Sequence, residues 1–199
     1  VSKHSKSGLL HEAKTRYTFR GDPTIVNVND YFEENHSAYF AMEYLDGCNM
    51  RAQMQKSGGR IPVEMATIML VTVGSALMDV HKFNILHRDI SPENIFLTSN
   101  GSYKLIDFGA ARFFTSRANK SLSVLLKPGF APPEQYSSKG NQGPWTDVYG
   151  LAATYYYLVS GVKPLDAMDR LSGKPMAALC DLCHGVSKKT SDAVNRALA

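Results

Sequence analysis

Cysteine is scarce and odd in number: Cys48, Cys180 and Cys183 are the only three in 199 residues. No disulfide framework is therefore expected, and a reducing compartment, the cytoplasm, fits. Cys180-Asp181-Leu182-Cys183-His184 has the C-x-x-C-H spacing of a haem attachment or of half a metal site. No second Cys/His pair completes a zinc centre, so the plain reading is a pair of neutral thiols near a loop. Long runs of like charge are also missing. The net charge is only +4, the densest basic pair is Lys188-Lys189, and this scatter fits a solvated surface with no nucleic-acid partner. No uninterrupted apolar run reaches the roughly 18–20 residues of a membrane span. The longest candidates, 66–78 and 148–162, contain Gly or polar residues and are expected as buried core helices, with no membrane segment inside the chain. There is no signal peptide and no initiating Met, so Val1 is expected to be a cut. Repeats, linkers and low-complexity segments are absent. What remains, 44% hydrophobic and 20% charged, is the composition of one soluble domain with a sizeable core.

The chemistry is concentrated in two motifs. In His87-Arg88-Asp89-Ile90-Ser91-Pro92-Glu93-Asn94, a carboxylate, Asp89, precedes a carboxamide, Asn94, by five residues, in a loop expected between an apolar helix and a short strand. A carboxylate so placed can accept a hydroxyl proton and hold the acceptor oxygen in line. In Leu105-Ile106-Asp107-Phe108-Gly109, Asp107 follows an apolar strand-forming run and is expected at the strand end with its side chain outward. Asn94 and Asp107 together offer the hard oxygen ligands that Mg²⁺ prefers, alongside phosphate oxygens and water. Chemistry of this kind is mostly positioning and charge neutralisation, so few residues suffice.

Later segments extend the pattern: Ala131-Pro132-Pro133-Glu134, and Trp145-Thr146-Asp147-Val148-Tyr149-Gly150. With these motifs in this order, the chain resembles the eukaryotic-type serine/threonine protein kinases, in their bacterial branch, over nearly its whole length. The resemblance implies an α+β fold of two lobes, with 1–45 as part of the small N-terminal lobe and 46–199 as a mainly helical C-terminal lobe. It implies Mg²⁺ and ATP as cofactor and co-substrate, a protein as acceptor, and transfer to serine or threonine hydroxyls. Asp89 would orient and deprotonate the acceptor, Asn94 and Asp107 would hold Mg²⁺, and Arg88 would organise a phosphorylated activation segment. Met42 would be the gatekeeper, the Glu43 carbonyl and the Leu45 backbone would face the adenine edge, and Phe96 would lie under the ring. Glu12, on a helix expected over 4–19, would pair with a strand lysine that grips the phosphates.

The departures are as informative as the matches. Arg16 stands where the family has an apolar residue beside the Asp-Phe-Gly phenyl. Ser91 stands where the Ser/Thr branch has a lysine whose charge helps neutralise the transferring phosphate. Lys127-Pro128-Gly129-Phe130 replaces Thr-Pro-Gly-Tyr, losing a threonine that hydrogen-bonds near the catalytic carboxylate. The family's Gly-rich phosphate loop and strand lysine do not lie in this chain, nor does the Arg that pairs with Glu134, so a piece truncated at both ends is expected. Two rival readings stay open: a pseudokinase acting as a binding module, and a small-molecule phosphotransferase of the aminoglycoside-kinase type.

Further elements are read from pattern. Strands are expected over 24–32 and 38–45 as a hairpin, and helices over 49–56, 62–81, 148–162, 164–171 and 187–199. Asn84 is expected to tolerate a left-handed backbone. Between 110 and 130 the chain turns polar, with Thr115, Ser116, Ser121 and Ser123 as phosphorylation candidates.

Overall fold

The computed structural model describes residues 19, 21–34, 37–108, 112–113, 126–137 and 139–199. The expected helix over 4–19, with Glu12 and Arg16, and the four candidate hydroxyls between 115 and 123 lie outside the described residues.

The hairpin forms as expected, from β1 (Val28–Glu34) and β2 (Ser37–Met42), antiparallel with Asp30 opposite Ala41 and Phe32 opposite Tyr39. It begins later than the pattern implied, because residues 24–26 are drawn elsewhere. Ile25 makes a parallel bridge to Leu105, the Val26 N–H donates to Leu105 O at 3.1 Å, and Leu105 N–H donates to Thr24 O. This splice ties the hairpin's root to the strand that leads into Asp107.

A second, three-stranded antiparallel sheet follows: β3 (Gly47–Asn49), then β5 (Ile95–Thr98), then β6 (Tyr103–Leu105). Between them lie α1 (Met50–Lys56) and α2 (Val63–Lys82). Asn49 caps α1, its side chain accepting from Ala52 N–H at 2.9 Å. The two-residue β4 (Ile85–Leu86) pairs with β7 (Arg112–Phe113), so the chain just before the catalytic loop is zipped to the chain just after Asp-Phe-Gly.

Helix α3 (Pro144–Ser160) is the spine of the larger region. Pro144 suits its first turn, and Gly161 ends it in the left-handed conformation at φ 74°. Its side chains are buried almost all the way round, which marks a central core helix. It packs on α2, where Thr67 and Tyr155 hydroxyls meet at 3.2 Å and Leu151 closes over Gly74. Fully buried Met69, Val73 and Val80 from α2 and Tyr155, Tyr156 and Leu158 from α3 build the core, at roughly 1.5–3 kcal/mol for each large aliphatic side chain. A 3₁₀ turn at Pro133–Tyr136 and short helices α4 (Ala167–Leu171), α5 (Leu179–Leu182) and α6 (Lys188–Ala197) surround it.

Helix α2, at 20 residues, is by length and composition alone long and apolar enough to cross a membrane, a property that a core helix can share. One face of α2 is core, with Ala66, Met69, Val73, Ala76, Leu77 and Val80 buried, while Ile68, Val71 and Met78 are exposed.

Candidate active site

The catalytic loop, 87–94, is suspended between β4 and β5 and clamped from below by one carboxylate. Asp147, in the first turn of α3, is buried. Its Oδ2 accepts from His87 N–H at 2.9 Å and from His81 Nε2 at 2.8 Å, and its Oδ1 accepts from Arg88 N–H at 2.7 Å. Asp147 thus reaches from the helix start back to the loop, and His81, at the end of α2, gave no sign of its part in sequence. Helix and loop come this close because residue 150 is glycine: a Cβ there would sit 3.0 Å from Ile90 Cβ and Ile90 O. Arg88 takes a left-handed backbone at φ 68°. A non-glycine residue is costly in that region and is held there by its surroundings.

On this frame Asp89, Ser91 and Asn94 are brought together. Asn94 is buried, and its Nδ2 donates at 2.8 Å both to Asp89 Oδ2 and to Asp89 O. That fixes the rotamer of the carboxylate and leaves Asn94 Oδ1 as the amide's acceptor. The main chain of Asn94 also accepts from Ile106 N–H at 2.9 Å. Asp107, the next residue, is exposed and sits in the left-handed region at φ 61°, as does Asn84 at φ 58° where that was expected. A buried carboxamide and an exposed carboxylate on adjoining strand ends, both oxygen donors, fit a small hard cation that keeps water and phosphate in its shell. Among the described residues no cluster of three or more His, Cys, Asp or Glu side chains could hold a metal unaided.

Phe108 is fully buried in an aromatic stack: its ring lies 4.6 Å from His87 and 6.0 Å from Phe19, which meets Phe83 edge-on at 5.4 Å. His87 is buried, and that burial pushes its pKa below the ordinary value, outweighing the carboxylates of Asp147, Asp89 and Asp107. A carbonyl faces Nε2 and an N–H faces Nδ1, the pattern of a neutral ring in which Nε2–H donates to Ile106 O at 3.1 Å and Nδ1 accepts a long 3.4 Å bond from Asp89 N–H. One imidazole thus links both motifs.

Arg88 extends its Nε to Gln142 Oε1 at 2.6 Å, and its carbonyl accepts from Gln135 Nε2 at 2.8 Å. Glu134 receives the Thr146 hydroxyl at 2.7 Å. Lys127, noted in sequence as a departure but given no role, reaches straight into the loop. Its Nζ lies 2.9 Å from Asp89 Oδ1, 3.0 Å from Oδ2 and 2.9 Å from Ser91 Oγ.

The expected adenine residues run from the end of the hairpin through its connection to β3, with Phe96 in the three-stranded sheet. Met42 ends β2 and is 45% exposed, Leu45 is half-buried in the connection to β3, and Phe96 lies in β5 between Asn49 and Lys104. Glu43 is held as a node: Oε1 accepts from Lys104 Nζ at 2.7 Å and from Asn27 N–H at 2.8 Å, while its own N–H donates to Asn27 O at 3.0 Å. The Lys104 anchor was not visible in sequence. Cys183 is buried with Sγ donating to Val159 O, and Cys180 is half-buried beside Asp181.

Comparison with known proteins agrees with this geometry. The protein kinase domain family matches residues 1–195. A probable serine/threonine-protein kinase of Clostridium perfringens is 35% identical over 147 residues, 73% of this chain and 21% of the relative. The serine/threonine-protein kinase PrkC of Bacillus subtilis is 33% identical over 151 residues, 75% of this chain and 23% of the relative. The chain therefore spans about a fifth of the length of these curated relatives. A solved structure, "PpkA-294 apo form", superposes with a TM-score of 0.81 at 32% identity, covering 98% of this chain and 69% of that one. The α+β fold, the two motifs and these matches lead to one family: the chain belongs to the protein kinase domain family, with bacterial serine/threonine kinases among its relatives.

Proposed function

We propose that this chain is the catalytic part of a protein kinase that transfers the γ-phosphoryl group of ATP to serine or threonine hydroxyls of proteins. The observation that carries the reading is the Asp89 carboxylate, fixed by Asn94 Nδ2 at 2.8 Å in a loop that buried Asp147 clamps from beneath. Asp89 holds the acceptor hydroxyl in line and takes its proton. Asn94 Oδ1 and the Asp107 carboxylate hold Mg²⁺, which when bound screens the phosphate charge. The backbone of Glu43 and Leu45 receives the adenine edge, with Met42 behind it and Phe96 beneath. Glu12 pairs with a strand lysine, and Arg88 answers to the activation segment.

The same proposal divides the chain at 45, with the hairpin on the small-lobe side, and places the protein in the cytoplasm. The test is to incubate the full-length protein with γ-labelled ATP, Mg²⁺ and a generic protein, beside Asp89→Asn. Label on serine or threonine, lost in the variant, is expected. No label above the variant, from a folded protein that binds Mg·ATP, would transfer the reading to a binding module.

A further inference from the structure

We infer that Lys127 supplies the positive charge of the transfer site, carried on the activation segment and not on the catalytic loop. The inference rests on the kinase reading above and deepens it.

Three observations lead there. The ammonium of Lys127 sits astride the Asp89 carboxylate, 2.9 and 3.0 Å from its two oxygens, and 2.9 Å from Ser91 Oγ. Ser91 is fully buried, and its hydroxyl receives the ammonium. A lysine at 91 would bring a second ammonium to the same place, so positions 91 and 127 share room for one cation. Finally, the backbone at 127 is held by its own turn. Phe130 and Ala131 N–H donate to Lys127 O at 2.9 and 3.0 Å, Gly129 takes φ 86°, and Gln135 bonds the segment to Arg88 O. The pair is partly desolvated, with 33% of the Lys127 and 22% of the Asp89 side chain exposed, so it is screened less than a surface ion pair and can still be reached from the cleft.

In the transfer step the acceptor oxygen bonds to the γ-phosphorus and the bond from that phosphorus to the β–γ bridging oxygen breaks. ADP leaves with the electron pair, and the hydroxyl proton goes to Asp89. Lys127 keeps its proton throughout and donates hydrogen bonds to the γ-phosphoryl oxygens, a fixed charge already in place where negative charge is being transferred. Ser91 and Asp89 hold it there. A consequence follows for control. A cation on the loop would be present whenever the loop is folded, whereas this one arrives only when residues 126–137 are seated on Arg88, Asp89 and Ser91.

The experiment compares the full-length protein with Lys127→Met, Lys127→Thr and the exchanged pair Lys127→Thr/Ser91→Lys. The readouts are kcat for γ-phosphoryl transfer and, by calorimetry, the preference for Mg·ATP over Mg·ADP. Either single variant is expected to lower kcat by about 10–100-fold and the ATP preference by about tenfold, the scale of a lost charge-assisted hydrogen bond. The exchanged pair, which returns a cation from position 91, is expected to recover both to within about threefold. Unchanged or faster transfer in Lys127→Met, an unchanged nucleotide preference, or single and exchanged variants equally impaired while folded would each overturn the inference. The binding readout needs no turnover. A protein that binds Mg·ATP but transfers nothing therefore contradicts the proposed function, while its nucleotide preference still decides the role of Lys127. Should Lys127→Met not fold, the exchanged pair and Lys127→Arg decide it by the same two readouts.

Discussion

The loop 87–94 and the hairpin that leads into the proposed adenine hinge, 43–45, are held by opposite means. The loop hangs on buried side chains: Asp147 gathers three donors, Asn94 spends its amide on Asp89, and His87 spans the two motifs. The hairpin is a backbone ladder with Phe32 46% and Tyr39 45% exposed, followed by Tyr44 at 89% in the connection, and Glu43 and the bridge from Ile25 to Leu105 moor its root. On the proposed function, proton transfer and phosphate neutralisation need particular side chains at fixed distances, whereas an adenine edge is read by peptide groups any residue can present. That reading makes one region specified by residue type and the other by shape.

The sharpest way to break the contrast is Asp147→Ala. It leaves His81, His87 N–H and Arg88 N–H without their acceptor in a buried site, and about 3–5 kcal/mol of stability should disappear from a urea melt of the full-length protein. A loss below about 1 kcal/mol would mean the loop is held by something else.

Acidification probes the same region more gently. Because burial lowers the His87 pKa from 6.5, the unfolded chain binds a proton that the folded chain refuses. His87 leaves stability undiminished above that pH and lowers it as pH falls through 6.5 toward the depressed folded value. The melting temperature should fall over that window, and His87→Gln should flatten the slope while lowering the plateau. An unchanged slope would show that other groups dominate.

On the hinge side the effects should be smaller. Lys104→Met removes the cation from Glu43, with about 1 kcal/mol of stability and a few-fold rise in the KM for ATP expected from steady-state kinetics. Smallest of all, Phe32→Ala loses a cross-strand ring stacked on Tyr39 at 5.3 Å but largely in water, so a change below about 1 kcal/mol is expected. A hairpin variant that matched Asp147→Ala would erase the distinction.

The same physics decides what could be read from sequence. Asp89, Asn94 and Asp107 could be singled out because the chemistry inferred for them demands their residue types, and Asn84 because few side chains accept a left-handed backbone. Lys127 was legible only as an oddity, since its partners lie 36 and 38 residues away and no local pattern records a contact made by folding. His81 and Lys104 were hidden for the same reason, each an ordinary surface polar residue by local pattern. The late start of β1 was missed because residues 24–26 have strand character but spend it on Leu105. Met42, Leu45 and Phe96 were nameable through family resemblance alone, because backbone recognition leaves no side-chain mark.

The proposed division of labour gives Asp89 the proton and Asn94 and Asp107 the metal. It is tested most directly by measuring Mg·ATP affinity and single-turnover transfer in the full-length protein, in Asp89→Asn and in Asp107→Asn. The account predicts that Asp89→Asn binds Mg·ATP nearly as well as the parent yet transfers about 10²–10⁴-fold more slowly, while Asp107→Asn loses the Mg²⁺-dependent part of binding. Equal loss of binding in both variants, or transfer that survives Asp89→Asn, would contradict it.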